Sequence, residues 1–194
     1  MRSDPSLKKY ENKEDVAKPD WTIEQDGEEI IVHIAWSLNF SIDRPTGDVW
    51  RYMRDFNLWL EDLHYNCVVG DAAEGDTVYF TINENSYEHY RKTYGIDPRE
   101  FKKNLIVRRN EPGRLIVWEE LSANKGKLIA YYVWTLSGQG ARSTVTGVMS
   151  YPPHREPKAH EHQLRANYHV MADDVAHRWR SAYIPRLRQL VEKG

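Results

Sequence analysis

Apolar and polar residues alternate from Glu29 to Ile42. Ile30, Val32, Ile34, Trp36, Leu38, Phe40 and Ile42 share one parity, and His33, Ala35, Ser37, Asn39 and Ser41 share the other. A period of two over this length predicts a strand with one buried face. Asp43-Arg44-Pro45-Thr46 ends it. Val49, Trp50, Met53 and Phe56 then recur at helical spacing, with Pro45 or Thr46 opening the helix. Trp59, Leu60 and Leu63 carry the stripe into a second short helix, with Asp55 or Asn57 as the cap between the two.

Strand patterns return at 66–71 and 75–83, across a turn at Ala73-Glu74-Gly75. Residues 86–101 read as an inserted loop with one helical segment. A hairpin follows at 103–109 and 114–121 around Asn110-Glu111-Pro112-Gly113. A second, 127–136 and 141–151, turns at Ser137-Gly138-Gln139-Gly140, and Pro152-Pro153 is expected to stop its last strand. The longest helical pattern is 158–192, where Leu164, Tyr168, Met171, Val175, Trp179 and Ala182 paint one face. Pro185 removes a backbone donor there and is expected to kink the last turns.

The predicted fold class is therefore α+β: a curved antiparallel sheet of about seven strands, in the order β-α-α-β×6-α, wrapped around a long C-terminal helix. Sheet twist and the helix diameter leave a wedge of space between the two, which ring-rich inward faces would line. Residues 1–20 are polar and are expected to form a flexible or loosely docked arm, with a short adaptor helix as the alternative. Residues 21–194 are expected to form one ligand-binding domain.

Composition narrows the function classes. The 194 residues are 40% hydrophobic and 29% charged, an ordinary globular balance. Seven Trp and twelve Tyr fit a large core or a ring-walled cavity. A net charge of −2, with Lys and Arg interleaved among Asp and Glu, gives no basic stripe for nucleic acid. No apolar run is long enough for stable membrane insertion. The polar start does not read as a secretory signal, and the lone Cys67 excludes an internal disulfide. A cytoplasmic protein is expected. No phosphate-cradling glycine loop, serine nucleophile elbow or CxxC occurs, so no cofactor is implied.

Local wording adds a resemblance. Ser41-Ile42-Asp43-Arg44-Pro45 running into Asp48-Val49-Trp50-Arg51-Tyr52-Met53-Arg54-Asp55-Phe56-Asn57-Leu58-Trp59 resembles the opening of the helix-grip superfamily, the SRPBCC group. That group includes START lipid-transfer domains, birch-pollen-type allergens and polyketide cyclases. Glu111-Pro112-Gly113-Arg114-Leu115-Ile116-Val117-Trp118 is similar to its central hairpin. Tyr132-Val133-Trp134-Thr135-Leu136 and Ala141-Arg142-Ser143-Thr144-Val145-Thr146 are similar to its last two strands. The likeness spans about 28–192, and the 86–101 insertion departs from it. It implies binding of a small hydrophobic ligand (aromatic, polyketide-like or lipid-like), or cyclisation and dehydration of a bound carbonyl compound in the same cavity. The fold hosts both. A protein-interaction groove is a further alternative, and a homodimer is left open.

On the strand polarity that this resemblance implies, Trp36, Leu38, Phe40, Tyr79, Trp118, Tyr132, Trp134, Val145 and Met149 face Tyr168, Met171, Val175 and Trp179 of the helix. A fully packed core is the alternative to a lined cavity. Tyr131 and Tyr132 cannot both point inward. Of Glu119 and Glu120 one faces the concave side if the strand stays regular; if the strand is ending, both are solvated. A carboxylate in an apolar pocket is a candidate general acid or base, so Glu120 is a catalytic candidate together with His89 and His64. His169 is a further acid–base candidate, and simple surface histidines are the alternative. His154, His160 and His162 lack a ligand spacing that would complete a metal site, so a solvated loop is expected and no metal is assigned. Cys67 reads as a buried apolar residue. Residues 87–94 are the expected lid of the cavity.

Overall fold

The alternating segment Glu29–Ile42 becomes β2, the longest-shared strand of an eight-stranded antiparallel sheet, in the computed structural model of the chain. The structure describes residues 5–55, 65–67, 73–82, 84, 87–94, 97, 102–122 and 126–194. The strands are β1 (Val16–Asp26), β2, β3 (Tyr65–Cys67), β4 (Thr77–Ile82), β5 (Lys102–Glu111), β6 (Leu115–Ser122), β7 (Leu128–Gln139) and β8 (Arg142–Pro157). They lie in the order β1-β2-β8-β7-β6-β5-β4-β3. The first long strand thus pairs with the last, which lets a simple meander curl round one concave face. The fold is of the helix-grip type.

All seven expected strands are present, and β1 is the eighth. Ala17, Pro19, Trp21 and Ile23 turn towards the core while Lys18, Asp20, Thr22 and Glu24 face solvent. Val16–Asp20 of the opening segment thus belong to the sheet. A 3₁₀ turn, Pro5–Tyr10, buries Leu7, and Asp15 is held by Arg188. The Arg188 side chain gives five hydrogen bonds: two to Asp15, two to the Ser41 carbonyl and one to the Tyr10 carbonyl. A buried guanidinium has five N–H groups, and here each has an acceptor.

Helix α1 (Thr46–Met53) buries Val49 and Met53. The Trp50 indole donates to Asn110 Oδ1 at 3.1 Å, tying α1 to the β5–β6 hairpin. Gly113 in that hairpin has φ 69°, in the left-handed region that favours glycine, and a side chain there would also approach Thr46. The expected second helix at Trp59, Leu60 and Leu63 falls outside the described residues. The insertion does carry a helix, α2 (Tyr87–Tyr94).

Pro152-Pro153 does not stop β8. Pairing with β7 ends at Tyr131–Ser150, but β8 continues beside β2 to Pro157, with an irregularity between Val32 and Ile34. Two residues without N–H groups break a ladder on one side and not the other, provided the strand shifts register.

The C-terminal rod is α3 (Glu161–Arg178), a π-turn (Trp179–Tyr183) and α4 (Ile184–Lys193). The disturbance expected at Pro185 takes the form of this π-turn, in which the Ile184 N–H reaches the Trp179 carbonyl. Widening the turn just before Pro185 accommodates the residue that cannot donate. Arg44 donates to the Glu192 carbonyl at 3.0 Å and covers the last turn. Among the described residues, no helix is long and apolar enough to cross a membrane.

Candidate functional site

Three cross-strand rows build the concave face. Trp118, Tyr132, Met149 and Trp36 stand side by side on β6, β7, β8 and β2. Beside them lies a row of Ile116, Trp134, Gly147 and Leu38. On the other flank are Leu105, Glu120 and Ala130. Strand alternation alone puts these residues on one face. All of them are buried.

The second row is the packed part. Trp134 lies directly over Gly147, so close that a Cβ on Gly147 would sit 2.4 Å from the indole. Its ring meets Trp118 at 6.0 Å and Trp179 of the π-turn at 5.2 Å, and Trp179 meets Tyr183 at 4.8 Å. Rings thus run from sheet to helix without a break. Trp36, Leu38, Phe40, Trp118 and Trp134 are sealed within this core. Glu120, Tyr132, Met149 and Trp179 keep a small residual exposure, 5–9%.

Glu120 is the charged residue of these rows. It is 5% exposed, and the Tyr132 hydroxyl, itself on a residue 9% exposed, donates to its Oε2 at 2.6 Å. Tyr132 sits opposite Trp118, one inward position along from Glu120, and the small Ala130 opposite Glu120 leaves room for the diagonal reach. Of the two adjacent acids, Glu119 points the other way and pairs with Arg108 at 2.6 Å. Tyr131, likewise, is exposed.

The rod leans to one side. Its α3 portion lies closest to β1 and β2, where the Trp36 indole donates to the Ala172 carbonyl at 3.2 Å. Arg165 stacks over Trp21 at 5.7 Å. Val175 and Tyr168 are half-buried against the core. The Tyr168 hydroxyl is hydrogen-bonded to His154 Nε2 at 2.8 Å. Burial, and secondarily the charge of Glu156, raises the Tyr168 phenol above its ordinary pKa.

Tyr79 requires a correction. It is 45% exposed, whereas its neighbour Val78 is fully buried, so the outward parity of β4 carries Tyr79. His169 is an exposed residue beside Asp173 and takes no part in the concave face. His64 lies outside the described residues. So do the side chains of His89 on α2, Met171 on α3 and Cys67 on β3. His154 is a strand residue with a specific partner rather than part of a solvated loop, while His160 and His162 are exposed. Among the described residues, no three His, Cys, Asp or Glu side chains converge as metal ligands.

No family model and no curated protein matches the chain. Solved structures do. Protein CV1439 of Chromobacterium violaceum aligns with a TM-score of 0.51 at 16% identity, over 81% of this chain and 96% of that one. SA2116 of Staphylococcus aureus aligns with a TM-score of 0.58 at 7% identity, over 83% and 94%. A protein of Rhodobacter sphaeroides aligns with a TM-score of 0.51 at 14% identity, over 89% and 99%. At such identities the likeness is one of fold, a curved antiparallel sheet closed by a C-terminal helix.

Proposed function

We propose that the chain binds a small hydrophobic molecule, aromatic or lipid-like, between β6–β8 and the C-terminal rod. The observation that carries this reading is the buried Glu120–Tyr132 pair on an otherwise apolar, ring-rich face. A carboxylate taken out of water is costly, and a core that needed only stability would be served by apolar side chains of similar size. A polar anchor amid rings is the composition of a ligand site. The strand-Pro-helix opening at 41–59 and the fold support placing the chain in the helix-grip superfamily. A ligand hiding about 200 Å² of apolar surface would gain about 5 kcal/mol before the costs of association.

Native mass spectrometry of gently purified protein tests this directly. A retained small molecule, or a rise in Tm together with altered tryptophan emission on adding apolar aromatic compounds, is the expected result. Absence of both across a panel of fused-ring and fatty compounds would refute the reading. The same pair also suits a cyclase or dehydratase, with Glu120 taking a proton from a carbonyl compound. Turnover that Glu120→Gln abolishes while the fold survives would favour that enzyme over a simple binder.

A further inference from the structure

Residues 5–15 form a strap fixed at two points. Leu7 is 3% exposed, and the Asp15 carboxylate is held by Arg188. Between these anchors Lys8, Lys9 and residues 11–14 are exposed. A cleft of about 450 Å³ separates residues 9–12 from Asp43, Arg142 and Glu192, and Arg188 lines it. A polar cleft of this size admits water. The strap is therefore undercut, and lifting it breaks contacts at two places rather than along its length. Three of the five Arg188 bonds go to the strap, at Asp15 and the Tyr10 carbonyl, and two go to the Ser41 carbonyl. When the strap lifts, the guanidinium keeps Ser41 and meets water from the cleft, so no buried charge is stranded. The 3₁₀ turn of the strap lies against α4 and the π-turn. Leu7 is buried without belonging to the main core, so this contact lies on another side of the rod from Trp179, which meets Trp134 at 5.2 Å. The π-turn is thus held between the ring stack and the strap.

We propose that the strap is the gate of the ligand site: it opens as a unit at Leu7 and Asp15, and its opening releases the π-turn so that the rod parts from the sheet and admits a small apolar molecule. The inference rests on the ligand-binding reading given above and adds the route by which a ligand enters. A gate alters rates and leaves the final complex alone. The ligand is held with the strap closed, so loosening the strap raises kon and koff by the same factor and keeps Kd in place.

N-Phenyl-1-naphthylamine, an uncharged dye that brightens in apolar surroundings, is a suitable probe, and stopped-flow fluorescence on the full chain gives its kon and koff. Leu7→Ala removes one anchor and should raise both constants about tenfold or more, with Kd held within about twofold. Leu7→Val, a milder change that keeps the comparison open if the first variant does not fold, should fall between it and the wild type. Ile30→Ala is the control. It truncates a buried side chain about 35 Å along β2 from Ser41, and should lower stability while leaving both rates alone. Hydrogen exchange read by mass spectrometry should show residues 7–15 exchanging ahead of β2 and β8, and faster still in Leu7→Ala. Dye binding whose rates ignore both Leu7 variants, or respond as strongly to Ile30→Ala, leaves the ligand site standing and overturns the gate. A strap protected for as long as β2 overturns it too. Absence of dye binding refutes the ligand site, and the gate falls with it.

Discussion

Alanine at Gly147 would place a methyl carbon 2.4 Å from Trp134 Cζ3 and 2.6 Å from Cε3. Carbon atoms settle at about 3.5–4.0 Å, so the indole must withdraw by roughly 1 Å. It has nowhere to go, since Trp118 and Trp179 stand at 6.0 and 5.2 Å between ring centroids and Trp134 is 1% exposed. Overfilling of this kind costs about 1–3 kcal/mol. Against it stands the gain of about 0.4–1 kcal/mol from a less flexible unfolded chain. The net loss is about 0–2.6 kcal/mol with a midpoint of about 1.3, or up to roughly 10 °C in Tm for a chain of this size. Urea denaturation followed by far-UV circular dichroism measures it. Near-UV circular dichroism should change as well, because the tryptophan array is displaced. In a Trp134→Leu background, the same Gly147→Ala change should become neutral or stabilising, giving a coupling energy of about 1 kcal/mol or more. A Gly147→Ala protein as stable as the wild type, with an unaltered near-UV spectrum, would show that Trp134 does not rest on Gly147 and would undo the packing argument.

Arg188→Ala and Asp15→Ala should each cost about 3–5 kcal/mol, because either leaves a buried charge unmatched, and the double variant should cost less than their sum; chemical denaturation reads all three. Trp36→Phe removes the indole bond to the Ala172 carbonyl and should cost about 1–2 kcal/mol, with faster amide exchange across α3. Tyr168→Phe should flatten the alkaline limb of the stability curve. The folded phenol titrates above its ordinary value, so the unfolded chain loses that proton first. The stabilisation from this difference is intact below about pH 10 and drains as pH climbs through the raised value. Tm measured from pH 8 to 11 on both proteins checks it, and identical slopes would contradict the burial of Tyr168.

How much of this was legible in the chain depends on how strongly each segment is patterned. β2 is buried along every second residue, and its alternation announces it without ambiguity. β1 is an edge strand whose inward residues are Ala17, Pro19, Trp21 and Ile23, only one of them fully buried, and Pro19 reads as a breaker. An edge strand can carry a proline because one side of its ladder is unpaired, and that context is invisible locally. In β4 the apolar parity of the sequence is that of Val78, whereas Tyr79 shares its parity with Thr77 and Thr81; its ring alone made that side look inward. For Glu120 the signal was present. Ile116 and Trp118 already set the phase, and one more step of two turns the acid inward. The bias against burying a carboxylate argued the other way, and the Tyr132 hydroxyl that makes burial tolerable lies on another strand. His154 was obscured by Pro152-Pro153, since continuation of β8 beyond two prolines depends on β2 alone.

The same unpaired side of β1 has a bearing on solution behaviour. A long sheet margin with free amides is an invitation to neighbouring molecules to add strand upon strand into fibres. Here Pro19 deletes one of the amides, and the outward row of Lys18, Asp20 and Glu24 sets mixed charges along the rim. Stripping that protection, by a change such as Pro19→Val with Lys18→Val, would restore an amide to the margin and remove a charge from it, and should promote polymerisation along the rim.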